Sequence, residues 1–194
     1  MSDRQLTVGI DWDDTLAYTT SAIMGMLKKK YEYSNFSLDM FGEVESDFIS
    51  LKRIYEEFRK YREKVSKEEW IIYSSILQLN PNLVEFMKLY NNCVILTRNK
   101  NVKFIQDMVA CPVEFVKSNL NKSTLGCRIL IDDNILELAE ITCIFGHYGI
   151  LYRNFNLGSC DCYSAIIGRN LWLLENNNTQ SLLQLIDSIN MLKA

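Results

Sequence analysis

The stretch VGIDWDDTLAY, residues 8–18, decides how the chain is read. An apolar run ends directly in Asp11, and Asp13 and Asp14 follow within the next three positions. Carboxylates this close repel one another and disfavour their own charged forms, so the cluster costs stability unless a cation or a chemical task uses it. The rest of the chain has to supply that use.

Four further apolar runs have the length of LTVGI (6–10): CVIL (93–96), VEFV (113–116), RILI (128–131) and YGILY (148–152). Their near-continuous apolar character predicts strands covered on both faces rather than half-solvated ones. Helical patterns over Val102–Val109, Ile135–Ile141 and Thr179–Met191 lie between and after them. Strand and helix in alternation predict an α/β fold, a Rossmann-like parallel sheet flanked by helices.

Residues 17–90 break that rhythm. No convincing strand occurs there, and Phe48, Leu51, Tyr55, Phe58, Arg62 and Val65 recur every three or four positions, a largely apolar helix face. Ser66 followed by Glu69 forms a capping-box pattern for a second helix. The expectation is a small α-helical cap, residues 17–90, inserted after the first strand into a core built from 1–16 and 91–194. The KRIYEEFRKYREK segment (52–64) then reads as solvated helix, and Lys28–Lys30 as a solvated helix end.

With 194 residues, 48% of them hydrophobic and 23% charged, the chain has the makeup of a globular protein with room for a sizeable core. A formal net charge of −3 argues against a polynucleotide partner, which requires a basic track. No run approaches the roughly 18 apolar residues of a membrane span, and MSDRQLTVGI lacks the basic and apolar regions of a secretion signal. Six cysteines, mostly inside apolar runs, read as reduced thiols, which places the protein in a cytoplasmic compartment. The sequence leaves the oligomeric state open, a homodimer included.

In an open parallel sheet the ligand crevice lies outside the carboxyl ends of the strands. Asp11 and Asp13 follow the first strand, Thr97 and Arg98 end the second (CVILTRN), and Asp132 and Asp133 end the fourth (RILIDDN). Lys122, ten residues before Asp132, is preferred over Lys117 as the ammonium that reaches the same edge. A hard divalent cation such as Mg²⁺ takes one or two carboxylates together with phosphate oxygens and water, and Asp11 and Asp132 suit that role. A threonine hydroxyl and a lysine ammonium would hold the remaining phosphate oxygens. One carboxylate is then left for nucleophilic attack and another for proton transfer.

In this order, DWDDT, VILT, a downstream lysine and ILIDD resemble the four signature motifs of the haloacid dehalogenase superfamily of aspartate-based phosphohydrolases. The resemblance implies an aspartyl-phosphate on Asp11, with Asp13 as general acid and then base. It also implies phosphoryl binding by Thr97 and Lys122, and Mg²⁺ held by Asp11, Asp132 and the main-chain carbonyl of Asp13, with Asp133 in support. The substrate would be a small phosphorylated molecule. NKSTLGCRILIDDN (121–134) and the short cap further resemble the 5'(3')-deoxyribonucleotidases, which implies a nucleotide substrate. Asp14 and Thr15 stand where that group usually has glycine and valine.

Other residues have two readings each. Arg98 is a phosphate or base contact, or an exposed salt-bridged arginine. Phe41, like Phe36, is a base-stacking ring of the substrate site or cap core. Trp12 reads as core or cap contact, and His147, the sole histidine, as structural. Cys160-Asp161-Cys162 has no second cysteine or histidine pair at zinc spacing.

Overall fold

The computed structural model describes residues 6–19, 21–22, 67–117, 120–122, 126–152, 170–174 and 178–192. Phe36, Phe41, Lys28–Lys30, the Phe48–Val65 face, Ser66, Cys160 and Cys162 lie outside these residues. The strands are β1 (Val8–Asp11), β2 (Cys93–Thr97), β3 (Val113–Phe115), β4 (Ile129–Asp132), β5 (Tyr148–Leu151) and β6 (Leu171–Leu173). They form one sheet in the order β3-β2-β1-β4-β5-β6, and every pairing is parallel. This is the α/β Rossmann-like sheet that the apolar runs predict. The sixth strand is an addition to the five runs read from the sequence.

The described helices are α1 (Lys67–Ile76), α2 (Pro81–Leu89), α3 (Val102–Met108), α4 (Ile135–Cys143) and α5 (Thr179–Met191). None is long and apolar enough to cross a membrane. Every residue of β1, β2 and β4 is buried. Val94, Leu96 and Leu130 pack with Leu138 and Ile141 of α4 on one face of the sheet. By strand alternation Val8, Ile10, Ile95, Ile129 and Ile131 face the other way, and none of them is exposed at all. Gly9 marks how closely the first face is packed: a Cβ there would lie 2.8 Å from Leu96 Cδ1 and 3.1 Å from Cys127 Sγ.

Two compact units divide the chain, one of residues 1–16, 79–154 and 161–194 and the other of residues 17–78 and 155–160. The sequence put the inner boundary at Tyr90, whereas α2 belongs with the sheet. Its Asn80 cap accepts from the amides of Asn82 and Leu83, and Pro81 opens the helix. The Thr179 hydroxyl at the start of α5 lies 3.0 Å from the Asn82 carbonyl and 2.9 Å from the Glu85 carboxylate, fastening α2 to α5. In the second unit, α1 buries Tyr73, and the Tyr18 amide donates to the Gln78 carbonyl at 2.9 Å.

Candidate active site

The strand order reverses direction around β1 and β4, and the crevice of an open sheet forms at such a switch point. Pairing sets Ile10 beside Ile131, so Asp11 and Asp132, one residue further along, leave the sheet level with each other. Thr97 ends β2 one residue beyond Leu96, the partner of Asp11. Three strand ends therefore bring an aspartate, an aspartate and a threonine to one edge, as their positions in the sequence predict.

Lys122 reaches between the two aspartates. Its Nζ donates to Asp11 Oδ1 at 2.7 Å and to Asp132 Oδ2 at 2.5 Å. The residue is only 4% exposed, while Lys117 is an exposed residue, so Lys122 is the lysine that geometry selects. Asp132 is fixed from its other side by the Asn134 amide, which donates to Oδ1 at 2.8 Å. The Thr97 hydroxyl oxygen is buried and accepts from the Asn99 amide at 2.9 Å, which leaves its own hydrogen to donate.

The turn after β1 closes where the Leu16 amide donates to the Asp11 carbonyl at 3.2 Å. Asp14 occupies the left-handed region at φ 58, a conformation glycine adopts freely and aspartate tolerates. Buried Thr15 ties this turn to β4: the Asp133 amide donates to its Oγ1 at 3.0 Å, and its hydroxyl donates to Asp133 Oδ1 at 3.3 Å. Neither Thr15 nor Asn134 stands among the residues assigned a task from sequence. Asn134 was legible, since an asparagine with Glu137 three residues on marks a helix start, and its side chain caps α4.

Charge at this edge is lopsided. Burial pulls the Lys122 pKa down, but the Asp11 and Asp132 carboxylates outweigh it and hold the pKa above the ordinary value. Burial raises Asp11 well above the carboxylate range. Lys122 pulls it down, while Asp132, Asp133 and Asp13 push it up further. Asp132 is also raised, by burial against the pull of Lys122. Asp133 keeps an exposed surface, yet burial of its carboxyl and the neighbouring Asp132 and Asp14 push it up to about 7. One ammonium does not balance this set.

Carboxylate oxygens of Asp11, Asp132 and Asp133 lie within 4.8 Å of one another, a spacing that suits a single ion. Hard oxygen donors and a shortage of positive charge fit Mg²⁺ better than a softer metal. The residues present therefore fit the cation that the motifs imply, with the Asp133 side chain added to the Asp11 and Asp132 side chains expected. Cysteine offers no rival centre among the described residues: the buried Cys93 and Cys127 thiols are pushed up to about 12, chiefly by burial.

Arg98 points its guanidinium at protein groups. Nη2 pairs with Glu137 Oε1 at 2.5 Å, and Nη1 donates to the carbonyls of Lys117 and Leu120 at 3.1 and 3.2 Å. It also borders a cavity of about 330 Å³ together with Asn121, Asn134 and Glu137. Arg98, Asn121 and Asn134 sit next in sequence to Thr97, Lys122 and Asp133, so the same three segments carry the strand-end cluster and border the cavity.

No family model matches the sequence, and no curated protein matches it. Solved structures do resemble the fold. A haloacid dehalogenase-like protein from Agrobacterium tumefaciens superposes with TM-score 0.58 at 9% identity, covering 94% of this chain and 98% of its own. A haloacid dehalogenase family hydrolase from Deinococcus radiodurans, with bound phosphate and sodium, gives 0.56 at 9% identity over 95% and 96%. A putative phosphoglycolate phosphatase from Lactobacillus delbrueckii gives 0.55 at 11% identity over 95% and 98%. At such identities the likeness is one of architecture, and the chain has the fold of the haloacid dehalogenase-like hydrolases.

Proposed function

We propose that the protein is a Mg²⁺-dependent phosphomonoesterase that works through an aspartyl-phosphate on Asp11, with nucleoside monophosphates, deoxyribonucleotides among them, as substrates. The observation that carries this reading is the meeting of Asp11, Asp132 and Lys122 at the carboxyl ends of β1 and β4. A buried set of acids around one ammonium is a poor way to stabilise a fold and a good way to receive a cation and a phosphoryl group.

Asp11 attacks phosphorus through a carboxylate oxygen as the ester P–O bond breaks, and Asp13 gives its proton to the departing alkoxide. Asp13 then takes a proton from water, whose oxygen attacks phosphorus and releases inorganic phosphate and the Asp11 carboxylate. Lys122 and the Thr97 hydroxyl bind the equatorial phosphoryl oxygens, the lysine as a point charge. Asp11, Asp132 and Asp133, with the Asp13 carbonyl, would hold Mg²⁺, which supplies the charge that lets a dianion approach these carboxylates. The Thr15 hydroxyl and the Asn134 amide, donating to Asp133 Oδ1 and Asp132 Oδ1, keep those two carboxylates aimed.

The nucleotide reading rests on the resemblance of NKSTLGCRILIDDN, in its lysine-to-aspartate interval and apolar lead-in, and of the short cap to the 5'(3')-deoxyribonucleotidases. It is tested by phosphate release from 5'- and 3'-nucleoside monophosphates, deoxy and ribo, against sugar phosphates and phosphoglycolate, with Mg²⁺ and with chelator. Selective release from deoxyribonucleotides in Mg²⁺ is the expected result. Release from the other esters alone would keep the chemistry and discard the nucleotidase assignment, and release unaffected by chelator would remove the metal.

A further inference from the structure

We propose that Arg98 is a positioning residue, a strut whose single guanidinium fixes the segment carrying Lys122 against the helix that follows Asp132 and Asp133. This rests on the phosphomonoesterase reading above. Arg98 leaves β2 directly after Thr97. Its Nη1 donates to the carbonyls of Lys117 (3.1 Å) and Leu120 (3.2 Å), the second only two residues before Lys122. Its Nη2 holds Glu137, in the first turn of α4, at 2.5 Å. One planar cation thus joins the end of β2, the segment that leads to Lys122 and the first turn of the helix after β4.

The need for such a strut follows from Lys122. Its ammonium must sit between two carboxylates on different strands, yet Lys122 belongs to neither strand. Backbone position alone has to deliver it. A rigid fork of donors suits carbonyls and a carboxylate arranged on separate segments, whereas lysine would offer only a compact charge. Glu137 is 11% exposed and Arg98 35% exposed at the side chain, so solvent reaches the pair from the arginine side and the carboxylate end is held by protein. With Glu137 neutralising the guanidinium, Arg98 acts on the reaction through Lys122 rather than by touching phosphate.

The test compares wild type with R98A, R98K and E137Q in kcat, KM and amide hydrogen exchange of residues 117–122. A displaced Lys122 weakens charge neutralisation in the transition state, and a misplacement of about 1 Å costs up to roughly 100-fold in rate. R98A is expected to lower kcat by about 10- to 100-fold with KM within about twofold of wild type, and to speed exchange at Leu120–Lys122. Added guanidinium ion should partly restore R98A, R98K should recover little, and E137Q should fall between them and wild type. A rise in KM with kcat unchanged would make Arg98 a substrate contact and overturn the strut. Unchanged kcat in R98A would overturn it as well. If wild type hydrolyses no phosphomonoester, the reading of function fails separately, and unchanged exchange in R98A would still dismiss the strut.

Discussion

Two groups of opposite charges stand at the same sheet edge and differ in almost every respect. Lys122, Asp11 and Asp132 are buried, and the carboxylates outnumber the ammonium. Arg98 and Glu137 match one to one, and the arginine is open to solvent. The outer pair is ordinary protein electrostatics, with a value to stability of about 0.2–1 kcal/mol. The inner group asks buried charges to give up hydration for an incomplete set of partners, and such groups gain little or nothing over apolar packing. A group held against stability is explained by what it binds, and an outer pair that reaches three loops is explained by what it aligns.

The comparison breaks first at Asp11. D11N should reduce turnover by roughly 10⁴-fold or more, as loss of a covalent nucleophile does. Because Asp11 is raised above the ordinary carboxylate range, its charged form weighs against the fold. D11N in chelator should therefore melt at the wild-type temperature or above it, and a lower melting temperature would show that Asp11 is there for stability. K122M should do the opposite. It removes the one ammonium among buried acids and should cost about 3–5 kcal/mol, seen as a lower denaturant midpoint, together with most of the activity.

A smaller effect links pH to the cation. Asp133 has an unfolded value near 3.8 and a folded value of about 7. Both states are protonated below the first value and both are ionised above the second. The folded state therefore loses stability as pH rises between them, and the loss is complete above pH 7. Mg²⁺ bound at the ionised site would offset it, by about 2.7 kcal/mol at a hundred times Kd. Melting in Mg²⁺ against chelator should show the larger increment at pH 8 than at pH 5.5, and equal increments would place the ion elsewhere. Smallest is the outer pair, where E137Q should change unfolding free energy by no more than about 1 kcal/mol. A larger loss would make that pair a structural keystone and erase its contrast with Lys122.

Local patterns made much of this edge legible. β1, β2 and β4 announce themselves as apolar runs because they are buried on both faces, and β5 nearly so. The edge strand β3 instead leaves Glu114 and Phe115 exposed, against the expectation of two-sided cover. Asp11, Thr97 and Asp132 follow from where the buried runs stop. α2 had its own signals in Asn80 and Pro81, yet the lack of a strand before Cys93 drew it into the insertion. The partners of Arg98 lie 19, 22 and 39 residues away, so nothing near Arg98 distinguishes a strut from a substrate contact. Asp14 is similar: its left-handed backbone belongs to the turn that the Leu16 amide closes onto the Asp11 carbonyl, a pairing that no single residue of DWDDT announces.

The most direct test is to find the phosphoryl group on the protein. Wild-type protein mixed with a phosphomonoester in Mg²⁺, quenched in acid within one turnover and digested, should yield a phosphorylated peptide containing Asp11, with the label absent from D11N. Product formation in the first turnover with no phosphate on Asp11 would contradict the account.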